Sequence, residues 1–331
     1  MPQHSPKSSR INQNHRFNQH SAVQPLFLLF IKTGGILLLY IHTLHRYGNI
    51  KSPAGYPLIF QISQKIYTMQ KTARVIRMIR LLRLLIHVIS GLIQSIGYPY
   101  FSQSIQRRMM TNWAAGILTI LNIRLHCTGT LPTVETPRAL LVANHVSWLD
   151  VCIVMAACPT RFVAKAEISH WPILGFLSRN AGTLFIERTR RADTLHMNQA
   201  IGEVLMCGDR VTVFPEGTTG DGTALKHFHA SLLQSAVTVD ALLYPVAICY
   251  RNVAGEICRE AAYIDPSLVQ SLQQILQQTR IDAELSFVAP IACGEKNRRE
   301  LARFSEHAIA TALSLPIPHR EPEKSSDLPA A

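Results

Sequence analysis

Leu140-Leu141-Val142-Ala143-Asn144-His145-Val146-Ser147-Trp148-Leu149-Asp150 is the stretch on which the fold turns. It opens with an apolar run short enough to be a buried strand, and its pattern becomes helical around Asp150. α/β proteins tend to place reactive side chains at such a junction, at the carboxyl end of a strand. In one continuous helix, residues five apart point about 140° away from each other. His145 and Asp150 can therefore meet only if His145 lies in the turn before the helix. There Asp150 can accept a hydrogen bond from one ring nitrogen, fix the tautomer and leave the other nitrogen as a base. The same residues also read as a core histidine beside a capping aspartate, and the pair alone leaves both readings open.

Downstream, short β-rich runs at 140–143, 160–164, 183–186, 211–214 and 243–248 alternate with helical spacing at 194–207, 267–279 and 299–313. Gly208 is placed to stop the first of these helices. This alternation predicts an α/β domain with a mixed sheet flanked by helices. Pro245 predicts an edge strand or a strand start.

Upstream the composition changes. Residues 1–134 hold 15 Lys and Arg and no Asp or Glu, whereas the remainder holds 18 against 21, which places the net charge of +12 in the first half. The basic residues alternate with Leu, Ile and Val rather than with aromatics on a polar surface, which fits an anionic bilayer surface and argues against nucleic acid. Residues 1–24 are polar and aperiodic, and read as disordered. The apolar stretch 26–41 is broken by Lys32 and Gly34-Gly35 and is marginal as a span, which needs about 20 apolar residues. It is also a poor secretory signal. Met69 precedes a basic opening to an apolar helix, so translation starting there would leave residues 1–68 out of the native product.

Residues 78–96 are apolar around Arg80, Arg83 and His87, and the arginines at 74, 77, 80 and 83 step by three and drift round a helix. The expectation is an N-terminal membrane-associating helical segment lying in the bilayer interface, its arginines reaching headgroups, with a single tilted span as the alternative. A second helical stretch, 113–121, leads into the α/β domain. The division expected is a partly disordered extension at 1–68, membrane-docking helices at 69–126, the α/β domain at 127–315 and a polar tail at 316–331. Seven cysteines, odd in number and never closely paired, argue against a disulfide framework or a zinc site and favour a reducing compartment.

Three further motifs follow the first. Gly182-Thr183-Leu184-Phe185-Ile186-Glu187-Arg188 is a strand that delivers a guanidinium able to grip a phosphate, or else a solvated surface arginine. In Phe214-Pro215-Glu216-Gly217-Thr218, proline and glycine force a tight turn that aims Glu216 and the following N–H groups to the side of His145; an exposed turn acid is the plainer reading. Tyr244-Pro245-Val246-Ala247 by itself is a buried strand. His227 and His229 lack a third ligand at metal-binding spacing, so no metal is expected.

Taken together and in this order, the four motifs resemble those of the glycerolipid acyltransferases typified by bacterial 1-acyl-glycerol-3-phosphate acyltransferase. The resemblance covers residues 127–313. It implies transfer of a fatty acyl group from a thioester, acyl-CoA or acyl-carrier protein, to a lysolipid hydroxyl, with no further cofactor. It makes His145 the general base with Asp150, Arg188 the grip on the acceptor phosphate, and Asn144, Ser147, Lys165, Glu216, Gly217 and Thr218 further substrate-binding positions. Lys226 also matches a basic position common in the family, although it and Lys165 read equally well as surface lysines. The acceptor implied first is 1-acylglycerol 3-phosphate, giving phosphatidic acid. A lyso-ornithine lipid or other lysophospholipid stays open, because Thr219 stands where the family often has arginine or serine. The implied place is the cytoplasmic face of the inner membrane. A serine hydrolase is disfavoured by the lack of a Gly-x-Ser-x-Gly elbow. A non-catalytic membrane-docking protein of the same fold is the alternative of another class; it would have no chemical need for both His145 and Asp150.

Overall fold

The computed structural model describes residues 72–133, 135–136, 138–187, 191–264 and 267–318. The extension, the apolar stretch 26–41, Met69, Arg188 and most of the tail lie outside the described residues.

Two helices come first, α1 (Arg74–Gly97) and α2 (Gln103–Leu121). The alternating part follows as β1 (Ile123–Gly129), β2 (Ala139–Ala143), α3 (Leu149–Ala157), β3 (Arg161–Lys165), α4 (Leu174–Asn180), β4 (Leu184–Ile186), α5 (Arg191–Met206) and β5 (Val211–Val213). The chain closes with α6 (Gln234–Val239), β6 (Leu242–Arg251), α7 (Leu268–Gln277), β7 (Ile281–Phe287), β8 (Ile291–Ala292) and α8 (Arg298–Leu313). The strands form one sheet in the order β1-β7-β6-β2-β5-β3-β4, with β8 on β6. From β6 through β4 they run parallel, while β7 is antiparallel to β6 and carries β1 parallel to itself. This is the mixed sheet flanked by helices that the sequence predicts.

β2 is buried along its whole length because the period-2 alternation feeds two cores. Ala139, Leu141 and Ala143 pack with α2, α3 and α7 on one face; Leu140 and Val142 pack with α5, α6 and α8 on the other. Gly208, at φ +75, follows α5 as expected. All seven cysteines are free thiols.

The structure corrects two expectations. Pro245 lies inside a central strand, not at an edge. It is tolerated because its carbonyl accepts from Val288 N, which directs the same side of the residue, where an N–H is missing, to the gap between β7 and β8. The arginines of α1 do not all point outward. Arg80 donates to the carbonyls of Gln278 and Thr279 past the carboxyl end of α7, where Thr72 also bonds Gln277 and Gln278.

The inward face of α1 mixes polar and small residues, Arg77, Arg80, His87, Gly91 and Ser95, with the partly buried Leu84, Val88 and Leu92, while Val75, Met78, Leu82, Ile86, Ile93 and Ile96 are exposed. Two glycines allow α1 to sit close on α2. A Cβ on Gly91 would lie 2.3 Å from Trp113, and one on Gly116 would lie 2.4 Å from His87. Among the described residues no helix is long and apolar enough to cross a membrane.

Candidate active site

β2 ends at Ala143, and the turn Asn144–Trp148 carries the chain into α3. The side chains of Asn144 and Ser147 are buried and hold this turn. Asn144 exchanges two hydrogen bonds with the backbone of Ile248, donating to its carbonyl (3.0 Å) and accepting from its N–H (2.7 Å), so it extends the β2–β6 ladder by a side chain. Ser147 Oγ accepts from Leu149 N at 3.3 Å, serving a free N–H at the start of α3.

Asp150, in the first turn of α3, is fully buried. Its Oδ2 accepts from Val146 N (2.7 Å), Ser147 N (2.9 Å) and His145 Nδ1 (2.7 Å), and its Oδ1 accepts from the Tyr250 hydroxyl at 2.6 Å. An oxygen already facing two backbone donors calls for a third donor, so Nδ1 carries the proton and Nε2 carries the lone pair. The imidazole is stacked on Phe214 at 4.1 Å, with 21% of its side chain exposed. His145 thus lies in the turn before the helix, as its spacing from Asp150 requires.

The Phe214-Pro215-Glu216-Gly217-Thr218 turn meets the first motif at the backbone of His145. Glu216 Oε1 accepts from His145 N (2.8 Å), its Oε2 accepts from Lys226 N (3.2 Å), and Gly220 N donates to His145 O (2.8 Å). The backbone of His145 is held at both its N–H and its carbonyl. Gly217 takes the positive φ of 74° that the turn demands. Thr218 is exposed, Thr219 donates its hydroxyl to the Tyr263 carbonyl, and Lys226 Nζ reaches Thr219 O at 2.8 Å. Lys165 is exposed at the carboxyl end of β3, the same edge of the sheet.

Burial pushes the Glu216 carboxyl up from 4.5 to about 7, outweighing the hydrogen bonds from His145 and Lys226 that favour the ion. A raised carboxyl contributes stability that is complete below its ordinary range and is lost as pH rises through about 7. Glu216→Gln removes that slope. Its melting temperature relative to wild type is expected to rise between pH 5 and pH 8, as thermal denaturation across that range would show; a constant difference would contradict the shift.

Sequence reasoning did not find Tyr250, Phe214's stacking role or Gly220. Tyr250 sits 100 residues from Asp150, and only the β2–β6 pairing brings them together. Tyr250→Phe leaves one oxygen of a buried carboxylate without its donor. It is expected to cost about 1–3 kcal/mol in urea unfolding and to lower kcat by less than loss of the Asp150 charge does.

An imidazole held by a buried carboxylate at the carboxyl edge of this sheet has the parts that an acyl-transfer site needs. The acyltransferase family profile matches residues 123–249, which run from β1 into β6 and contain His145, Asp150 and Glu216, with Tyr250 just beyond the matched range. The chain is 36% identical over 212 residues to the lyso-ornithine lipid O-acyltransferase of Pseudomonas aeruginosa, covering 63% of this chain and 80% of that one. It is also 36% identical over 195 residues to the 1-acyl-sn-glycerol-3-phosphate acyltransferase of Neisseria meningitidis, covering 59% and 76%. The crystal structure of the 1-acyl-sn-glycerophosphate acyltransferase of Thermotoga maritima shares the fold, with a TM-score of 0.55 at 17% identity over 76% of this chain and 96% of that one. The chain belongs to the glycerolipid acyltransferase family and is an acyltransferase.

Proposed function

We propose that the protein moves a fatty acyl group from acyl-CoA or acyl-carrier protein to the free hydroxyl of 1-acylglycerol 3-phosphate at the cytoplasmic face of a membrane. The observation that carries the chemistry is the His145–Asp150 pair, with Nδ1 committed and Nε2 left open. Nε2 takes the proton of the acceptor hydroxyl as its oxygen attacks the thioester carbonyl. The C–S bond then breaks, and the imidazolium returns the proton to the leaving thiolate. Asp150 stabilises the imidazolium in between, and a donor beside His145, backbone or side chain, holds the oxyanion. A thioester is already activated, so no acyl-enzyme is required.

Arg188, Lys165 and Lys226 act on the acceptor phosphate in this reading, with Thr218 at the mouth. Asn144, Ser147, Glu216 and Gly217 act behind them as positioning groups, because their polar atoms are engaged with backbone or lie under the turn. The exposed apolar face of α1 docks on the bilayer, with Arg74 and Arg83 left for anionic headgroups. The free thiols suit the reducing side.

Thr219 and the similarity to lyso-ornithine lipid O-acyltransferases favour a second acceptor, a lyso-ornithine lipid. Purified protein given a long-chain acyl-CoA and a panel of lysolipids is expected to acylate lysophosphatidate. If only lyso-ornithine lipid is acylated, the acceptor assignment falls and the chemistry stands. If neither CoA nor carrier-protein donors support any transfer, the non-catalytic reading replaces both.

A further inference from the structure

We infer that the turn Trp171-Pro172-Ile173-Leu174 is a second bilayer anchor, forming one membrane-facing surface with α1 and fixing how the active-site edge meets the lipid. This rests on the reading of α1 as a docking helix. The turn leaves the carboxyl end of β3 through a short 3-10 helix, Ala166–His170, and leads into α4, so it belongs to the edge of the sheet that carries His145. α4 packs directly against α1.

Within the turn Trp171 is 42% exposed, Ile173 46% and Leu174 36%, an unusual concentration of large apolar surface for four residues. The turn is rigid. Trp171 N donates to Ile168 O, Gly175 N to Trp171 O and Leu177 N to Ile173 O, and Arg179 donates to the Ser169 carbonyl. A Cβ on Gly175 would lie 2.3 Å from the Ser169 oxygen, so the tight return needs glycine. A flexible loop could fold its apolar side chains away, whereas this one is held open.

The chemistry around the turn favours a lipid surface over a protein groove. Lys165, His170 and Arg179 are exposed around it, with Glu167 the one nearby acid in the segment. A tryptophan flanked by cations suits the headgroup boundary, where the indole stays half in water and the aliphatic neighbours enter the acyl region. α1 supplies a long apolar strip alongside, and two non-collinear contacts fix an orientation that a single helix, free to roll, does not. The acceptor's hydroxyl lies at the headgroup boundary too, so this anchor sets the depth at which His145 meets it.

The test uses the full chain and phosphatidylethanolamine–phosphatidylglycerol vesicles with or without brominated acyl chains, which quench indoles that enter them. The tryptophans are Trp113, Trp148 and Trp171. Trp113 is stacked on His87 and Trp148 donates to Ser271, so both face the protein. Wild type is expected to bind vesicles and lose part of its emission to bromine. Trp171→Phe should still bind and lose that quenched component. Trp171→Asp, folded by circular dichroism, should partition roughly tenfold more weakly. If wild type binds vesicles but shows no quenching that depends on Trp171, the anchor is overturned while α1 docking stands. If wild type binds no vesicles, docking by α1 falls as well. A Trp171 response to acidic acyl-carrier protein in place of vesicles overturns the anchor and makes the turn a donor dock.

Discussion

Replacing His145 with alanine is expected to lower kcat for acyl transfer about a thousandfold or more while leaving the protein folded. Nε2 is the atom of the dyad left open to the substrate, and the neighbouring groups cannot take over its work. Glu216 has its oxygens engaged by His145 N and Lys226 N, and it is only 5% exposed. Asp150 is fully buried and keeps three of its four donors after the change. The backbone clamp on residue 145, through Glu216 and Gly220, does not depend on its side chain. The melting temperature should therefore move by only a few degrees. Release of thiol from a long-chain acyl-CoA, followed with and without acceptor, measures the effect. A residual rate within tenfold of wild type would place the base elsewhere.

Asp150→Asn should cost about 10²–10⁴ in kcat for a different reason. The amide can keep its oxygen toward Val146 N, Ser147 N and His145 Nδ1 and turn its NH₂ toward Tyr250, whose hydroxyl can accept as well as donate. The geometry survives and the charge does not, so the imidazolium that forms on proton transfer loses its buried counter-ion. The expected signature is a fall in kcat with little change in the acceptor's KM. An equal loss in both would mean that the turn itself had collapsed, and the circular-dichroism spectrum would then differ too.

The parts of this protein legible in its sequence are those where chemistry restricts the choice of residue. The His145-to-Asp150 spacing admits one geometry, and the structure has it. The glutamate turn was legible as a turn, though not as a clamp on the His145 backbone, because the identity of a partner 71 positions away is not encoded in local pattern. β7 carries a clean alternation, Ile281, Ala283, Leu285 and Phe287 inward, which period-2 reasoning could have found. β1 could not be found that way, since it is an edge strand buried at Ile123 and largely exposed thereafter. α2 starts ten residues before the 113 expected, because its first turns are polar and its apolar face begins only at Met110. Arg80 looked like a headgroup ligand because a helix sequence does not reveal which carbonyls lie across the fold. Pro245 looked like an edge residue because a strand's change of partner halfway along is invisible in one dimension.

The sheet's arrangement also sets when the enzyme can first work during its own synthesis. β2 and the catalytic turn leave the ribosome early, yet the strand that supports them, β6, with Ile248 beneath Asn144 and Tyr250 against Asp150, is made about a hundred residues later. Loop-closure entropy of that span must be met before the turn is fixed. α1, with its outward apolar face, emerges well before either. A nascent chain halted between α1 and β6 thus presents an outward apolar helix face while the strand that supports Asn144 and Asp150 is still unmade.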